Sequence, residues 1–257
     1  MEISKDSLKP YLVFDTPIRY DQSIILYPVK MENILDFRLY EKALTLRKDS
    51  IFKEKNILKM EYLDFLKYAN GNDELAVQYD MKSLPYLYSL LIRLFSIVCG
   101  SESRIMIDEP TLDIYINDEL ITNEIFNDLR RIIIIQNDID FDVDEFISLD
   151  VLKALEKAQK FEQEKNKDDA DIEDYIDSVA IAMQLSNEQI KELSIRKFWR
   201  YVKRINKHEE YSAYSNAKLS GWVKFKTTLP HWMTSIDVVD RYENLKADES
   251  ELRSKIG

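Results

Sequence analysis

Four glycines in 257 residues restrict the folds open to this chain more than any motif in it. Glycine alone reaches the left-handed backbone regions at little cost, and tight-turned β-sandwiches and phosphate-cradling loops both depend on it. Such a chain must turn mostly at helix ends and polar loops. The expected fold class is therefore mainly α, with an α+β character limited to two small hairpins near residues 11–29 and 104–117, and with a helical C-terminal half.

Hydrophobic spacing fills in that outline. Tyr11–Phe14 and the run from Ser23 to Val29 are β-rich on either side of Asp15-Thr16-Pro17, so they read as paired strands. Ile34, Phe37, Leu39, Ala43 and Leu46 predict a first long helix. Leu58, Tyr62, Phe65 and Leu66 predict a second, ending near Asn70-Gly71. Pro85 suits the first turn of a third helix that Gly100 stops, with Leu87, Leu91, Leu94, Phe95 and Val98 inward. Period-two spacing on both sides of Glu109-Pro110 predicts a hairpin that could extend the N-terminal strands. Thr122 is placed to cap the helix that follows.

Asp138, Asp140, Asp142 and Asp144 alternate like the first ligands of an EF-hand loop. Val143 stands where that loop needs glycine and Leu149 where it needs a bidentate acid, so an acidic surface loop is the expectation. A helix is expected over 150–165, and the charged run 164–171 reads as a linker. A helix over 172–185 should turn Ile176, Val179, Ala180 and Met183 inward. The domain reading is 1–165 for an N-terminal helical region, 171–236 for a C-terminal helical region and 237–257 for a charged tail.

Residues 195–233 gather all three tryptophans, both histidines and the densest basic patch of a chain whose net charge is −11. Ser186 and Gln189 fit a capping box, and a kink is expected near Ser194. Ile195, Phe198, Trp199, Val202 and Ile205 form one helical face. Arg196, Arg200, Lys203, Arg204 and Lys207 form the other. Tyr211 and Tyr214 continue the helix until Gly221 ends it. Trp222, Lys224 and Phe225 read as a short extended segment, and His231 and Trp232 close the unit. These ten basic and aromatic positions, from Arg196 to Trp232, are the candidate partner-binding residues. A solvated face is the commoner use of a charge run, and core anchoring the commoner use of tryptophan. If the stripe is functional, an acidic protein suits it better than nucleic acid, because the overall charge repels a polyanion.

The sequence carries no nucleophile elbow, Walker loop, dinucleotide fingerprint, zincin helix or C-x-x-C pair. With one cysteine, Cys99, and two histidines it cannot assemble a familiar metal set around His231. No catalytic residue, metal or cofactor is expected. MEISKDSLKP lacks an apolar h-region, and Leu84–Cys99 is too short and too interrupted to span a bilayer, so a soluble cytosolic protein without membrane contact is expected.

SIILYPVKMENILDF, NDELITNEIFNDLRRIIIIQNDIDF and IRKFWRYVKRINKHEEYSAYSNAKLSGWVKFK followed by PHWM resemble proteins of tailed bacteriophages and prophages of low-GC Gram-positive bacteria. The opening strand pair leading into a helix is also similar to tail assembly chaperones and small baseplate-assembly proteins. That resemblance implies a non-enzymatic protein made in the host cytoplasm that engages tape-measure, tube or baseplate proteins. It brings no catalytic residues. Three readings stay open: an assembly chaperone, a structural component of tail, neck or baseplate that could be oligomeric, and a host-directed or nucleic-acid-binding regulator.

Overall fold

The computed structural model describes residues 3–144, 170–221, 225 and 227–236. The chain is mainly α, as expected, with two small antiparallel sheets among the described residues. It divides into two compact units, one built from residues 1–146 and 188–197, the other from 147–187 and 198–257.

The first unit opens with helix α1, Lys5–Phe14. Ser4 Oγ accepts from the Ser7 amide at 3.2 Å while Ser7 Oγ accepts from the Ser4 amide at 3.0 Å, a reciprocal cap that satisfies two orphan donors. Tyr11–Phe14 is thus the last turn of a helix and not a strand. A short apolar run cannot by itself distinguish the two, and Leu8 and Leu12, one helical turn apart and both buried, settle it. The N-terminal hairpin is smaller than expected: β1, Ile18–Arg19, pairs with β2, Ile25–Leu26.

Two of the expected long helices are each broken in two, and a side-chain cation takes a carbonyl at the end of the first, as another does at the break in the second. Residues 34–46 form α2, Ile34–Tyr40, and α3, Lys42–Thr45. The Leu44 carbonyl, which would accept from residue 48, instead accepts from Arg130 Nε at 2.7 Å. After α4, Lys48–Ile51, the next helical stretch is divided into α5, Lys55–Lys59, and α6, Tyr62–Ala69. Lys48 Nζ donates there to the carbonyls of Ile57, at 3.3 Å, and Met60.

Helix α7, Asp73–Gln78, is capped by Asn72 Oδ1 on the Leu75 amide at 3.0 Å. A single 3-10 turn at Leu84–Tyr86 then feeds α8, Leu87–Val98. α8 is the centre of this unit. Its Leu87, Tyr88, Leu91, Leu94, Phe95 and Val98 are buried, and α2, α3 and α6 pack against it. Gly100 ends it at φ +77°, and a Cβ there would lie 3.0 Å from Tyr27 Cε2.

The second sheet contains β3, Ile105–Asp108, β4, Asp113–Ile116, and β5, Glu119–Leu120. Asn117-Asp118, both at positive φ, make the two-residue β4–β5 turn, where these short polar side chains tolerate the left-handed region. This sheet does not join the N-terminal hairpin as expected. A side-chain bond links them, Asn117 Nδ2 donating to the Ser23 carbonyl at 2.8 Å.

Thr122 Oγ1 accepts from the Ile125 amide at 3.3 Å and starts α9, Asn123–Gln136. Its Phe126 meets Phe95 edge-on and Tyr62 face-on, at 6.4 and 6.0 Å between centroids. Asp138 follows at positive φ, and the Asp144 carboxylate is taken by Arg131. The expected helix over 150–165, nearly all of the linker and the tail from 237 lie outside the described residues.

Residues 188–197 complete the first unit. Ser194 forms a β-bridge with Lys30, the Ile195 amide donates to the Val29 carbonyl at 2.8 Å, and the Met31 amide donates to the Leu193 carbonyl at 2.8 Å. Ser194 also breaks the helical run where a kink was expected, separating α11, Asn187–Glu192, from α12, Ile195–Ser220.

In the second unit α10, Ile172–Met183, is opened by a cap in which Asp171 Oδ1 accepts from the amides of Glu173 and Asp174 at 2.8 and 3.0 Å. Val179 is buried as expected, whereas Met183 is 41% exposed and Ile181 80% exposed. Among the described residues no helix is long and apolar enough to cross a membrane.

Candidate functional site

Helix α12 carries the five basic residues singled out from Arg196 to Lys207, and the structure does not give them one role. Arg196 is only 7% exposed, so it does not belong to an exposed stripe. Its Nη1 donates to the Leu12 carbonyl at 2.8 Å, and Lys197 Nζ donates to the Val13 carbonyl at 3.3 Å. Both acceptors are orphan carbonyls of the last turn of α1, a turn with no basic residue of its own. Two cations at the negative end of a helix dipole favour that end. Arg196 is therefore a structural residue of the first unit.

Arg204 and Lys207 play a second role, holding the chain that returns after α12. Arg204 Nη1 donates to the carbonyls of Trp232 and, at 2.8 Å, Thr234. Lys207 Nζ donates to Thr234 Oγ1 at 2.8 Å and to the Ser235 carbonyl at 2.9 Å. Main-chain oxygens of a segment without regular structure need such donors, and two long cations reach them from one helix turn.

Aromatic rings continue the same contact along the helix. His208 meets Trp232 edge-on at 5.1 Å, Tyr211 meets His231 at 4.9 Å, and Tyr214 meets Phe225 at 4.5 Å. Edge-on and tilted pairs at these distances suit the ring quadrupoles. His231 Nδ1 also accepts from the Met233 amide at 3.2 Å, so this histidine is both packed and hydrogen-bonded. Positions 204, 207, 208, 211 and 214 follow the three-and-four spacing of one helix face. That spacing was available in the sequence and identifies His208, Tyr211 and Tyr214 as site residues missed when the face was read only for basic side chains.

Lys203 is exposed and Arg200 half-buried. Trp199 does not stand free as a stacking platform: it packs edge-on against Tyr175 at 5.1 Å and Phe198 at 5.3 Å. Trp222 and Lys224 lie outside the described residues. Around this clasp the unit exposes apolar surface, with Leu219 85%, Met233 65% and Phe225 42% exposed. Among the described residues no group of three or more His, Cys, Asp or Glu side chains could hold a metal ion. The site thus offers aromatic edges, aliphatic tips and flanking cations.

No curated protein and no solved structure matches the chain. Residues 163–237, which take in α10, α11, α12 and the returning segment, match the family model of the YomV second domain. The C-terminal part of the chain is thus similar to a phage-derived domain, and a phage-type protein is the identity that this match supports.

Proposed function

We propose that this protein acts in phage tail morphogenesis as a non-enzymatic assembly chaperone, holding a tape-measure or tail tube protein through α12 and the segment clasped to it. The observation that carries the reading is the exposed apolar rim of that clasp. Met233 is held out by a segment that Arg204 and Lys207 fix to the helix, and Leu219 stands exposed at the end of that helix. Exposed apolar side chains on a pinned main chain lose little further entropy on binding, which favours recognition of another protein. Similarity of this same stretch to a phage-derived domain supports a phage context, and the net charge of −11 favours a protein partner over nucleic acid.

The experiment is a pulldown from infected cells beside mass spectrometry of purified virions. Wild-type protein should recover tape-measure or tube protein and be absent from particles. Leu219→Ser with Met233→Ser should lose the partner while its thermal unfolding stays within the small range usual for exposed substitutions. A fixed copy number in virions would replace this reading with that of a structural component. Recovery of nucleic acid or a host protein alone would favour a regulator.

A further inference from the structure

The strand order β3-β4-β5 leaves β3 at an edge of its sheet. Two hydrogen bonds fix which of its main-chain groups face outward. The Asn117 amide donates to the Arg104 carbonyl at 2.9 Å, and the Ile121 amide donates to the Ile114 carbonyl at 2.9 Å. Successive residues of an antiparallel strand direct their main-chain groups to alternate sides. Ile114 and Ile116 therefore serve β5, while Asp113, Tyr115 and Asn117 serve β3. On β3 the groups of Arg104, Met106 and Asp108 face β4 in the observed register, and those of Ile105 and Ile107 point out of the edge. No strand among the described residues takes them up.

The side chains along this edge complement themselves. Ile105 and Ile107 lie opposite buried Ile116 and Ile114 on the core face, yet Ile107 remains exposed. On the other face Met106 lies beside Tyr115, which pairs in turn with exposed Leu120. Arg104 and Asp108, both exposed, stand at the two ends with opposite charge. The Arg104 side chain forms no ion pair among the described residues. Asp108 Oδ2 accepts from Thr111 Oγ1 at 2.7 Å, which leaves the carboxylate lone pairs for a further donor. No proline or lysine blunts residues 104–108 against pairing with another chain.

We propose that β3 pairs antiparallel with β3 of a second copy of this chain, about a two-fold axis between the two Met106 residues. In that register Ile105 lies opposite the partner's Ile107. Both direct their main-chain groups outward, so each of the two such pairs exchanges two main-chain hydrogen bonds. The same register sets Arg104 opposite the partner's Asp108, twice by symmetry. The neighbouring registers, which set Ile105 or Ile107 opposite itself, place Arg104 against Met106 or Pro110 instead. Opposite charges directly across a strand pair favour pairing and like charges oppose it, so charge selects the register that the main chain allows. The pairing does not rest on the proposed use of α12.

Sedimentation velocity of the full chain, from micromolar to submillimolar concentration, tests this. The wild type should show reversible dimerisation, and exchange at the Ile105 and Ile107 amides should slow as concentration rises. Arg104→Glu and Asp108→Arg should each weaken self-association roughly tenfold or more, because each dimer then holds two like-charge pairs. Mixing the two variants should restore dimers, since both Glu–Arg and Arg–Asp pairs re-form between them. Arg104→Glu, at an exposed side chain, decides the matter if Asp108→Arg loses its Thr111 bond and fails to fold, which circular dichroism reports. A wild type that stays monomeric, undiminished association of folded Arg104→Glu, unchanged exchange at Ile105 and Ile107, or folded variants that do not combine would each overturn the proposal.

Discussion

Removing the two cations of the clasp with Arg204→Met and Lys207→Met should free the returning segment without melting the helix under it. Methionine keeps much of the stem length and removes the donors. Four acceptors lose their donors: Trp232 O, Thr234 O, which both cations reach, Thr234 Oγ1 and Ser235 O. Partly solvated bonds of this kind contribute about 0.5–1.5 kcal/mol each, and exposure places the total near the lower half of that range, about 2–4 kcal/mol. His208 against Trp232 and Tyr211 against His231 remain, each contributing about 0.5–1.5 kcal/mol. The segment should therefore stay associated but open far more often. Hydrogen exchange reads this at the Thr234 amide, which donates to the His231 carbonyl at 2.9 Å. Its exchange should accelerate roughly 30- to 1000-fold, the factor that about 2–4 kcal/mol of local opening implies, while helix amides near Ile205–Tyr211 change little. Unaltered exchange at Thr234 would refute the clasp; equal acceleration along the helix would show that these cations support α12 itself.

Three further outcomes test the first unit. Gly100→Ala should lower stability on the order of 1–3 kcal/mol, visible as a fall in melting temperature, because alanine at φ +77° is strained and its Cβ meets Tyr27. Cys99 is 1% exposed and burial pushes its thiol up to about 12, so alkylation at pH 8 should occur only as fast as the unit opens, and a prompt reaction in native protein would contradict this burial. Asp113 is held below the ordinary carboxylate range, first by its hydrogen bond from Lys67 at 2.6 Å and then by that from Thr111. Its stabilising contribution is complete above the unfolded-state value near ~3.9 and is lost as pH falls through the lower folded value. Urea midpoints should drop in that acidic window, and Asp113→Asn should flatten the drop.

Much of the fold was legible because it follows from local spacing. The α8 stripe from Leu87 to Val98, the Thr122 cap, the β3–β4 hairpin and the break at Ser194 each depend on neighbours within a few residues. What spacing could not show are helix ends imposed from far along the chain. Residues 34–46 carry helical periodicity to their end, yet Arg130 takes the Leu44 carbonyl that would have continued α3 beyond Thr45. Nothing near Leu44 announces an arginine 86 residues away. The candidate site divides in the same way. Its basic residues stood out by type, but Arg196 serves α1 and Arg204 and Lys207 serve a later segment, because their acceptors are main-chain oxygens that any sequence presents.

The ten residues 188–197 interrupt the second unit and complete the first, and this bears on how such a chain could be rearranged by recombination. The stretch that matches the phage-derived domain, 163–237, includes them. Moving that stretch into another protein would carry along the Ser194 bridge, the Val29 and Met31 pairings and the Arg196 bond to Leu12, all without their counterparts. Cutting the chain after residue 146 would strip the first unit of the same bonds. The two units are bound to a shared inheritance: neither can be exchanged as a contiguous cassette unless its new neighbour offers an edge like Val29–Met31 to receive those ten residues.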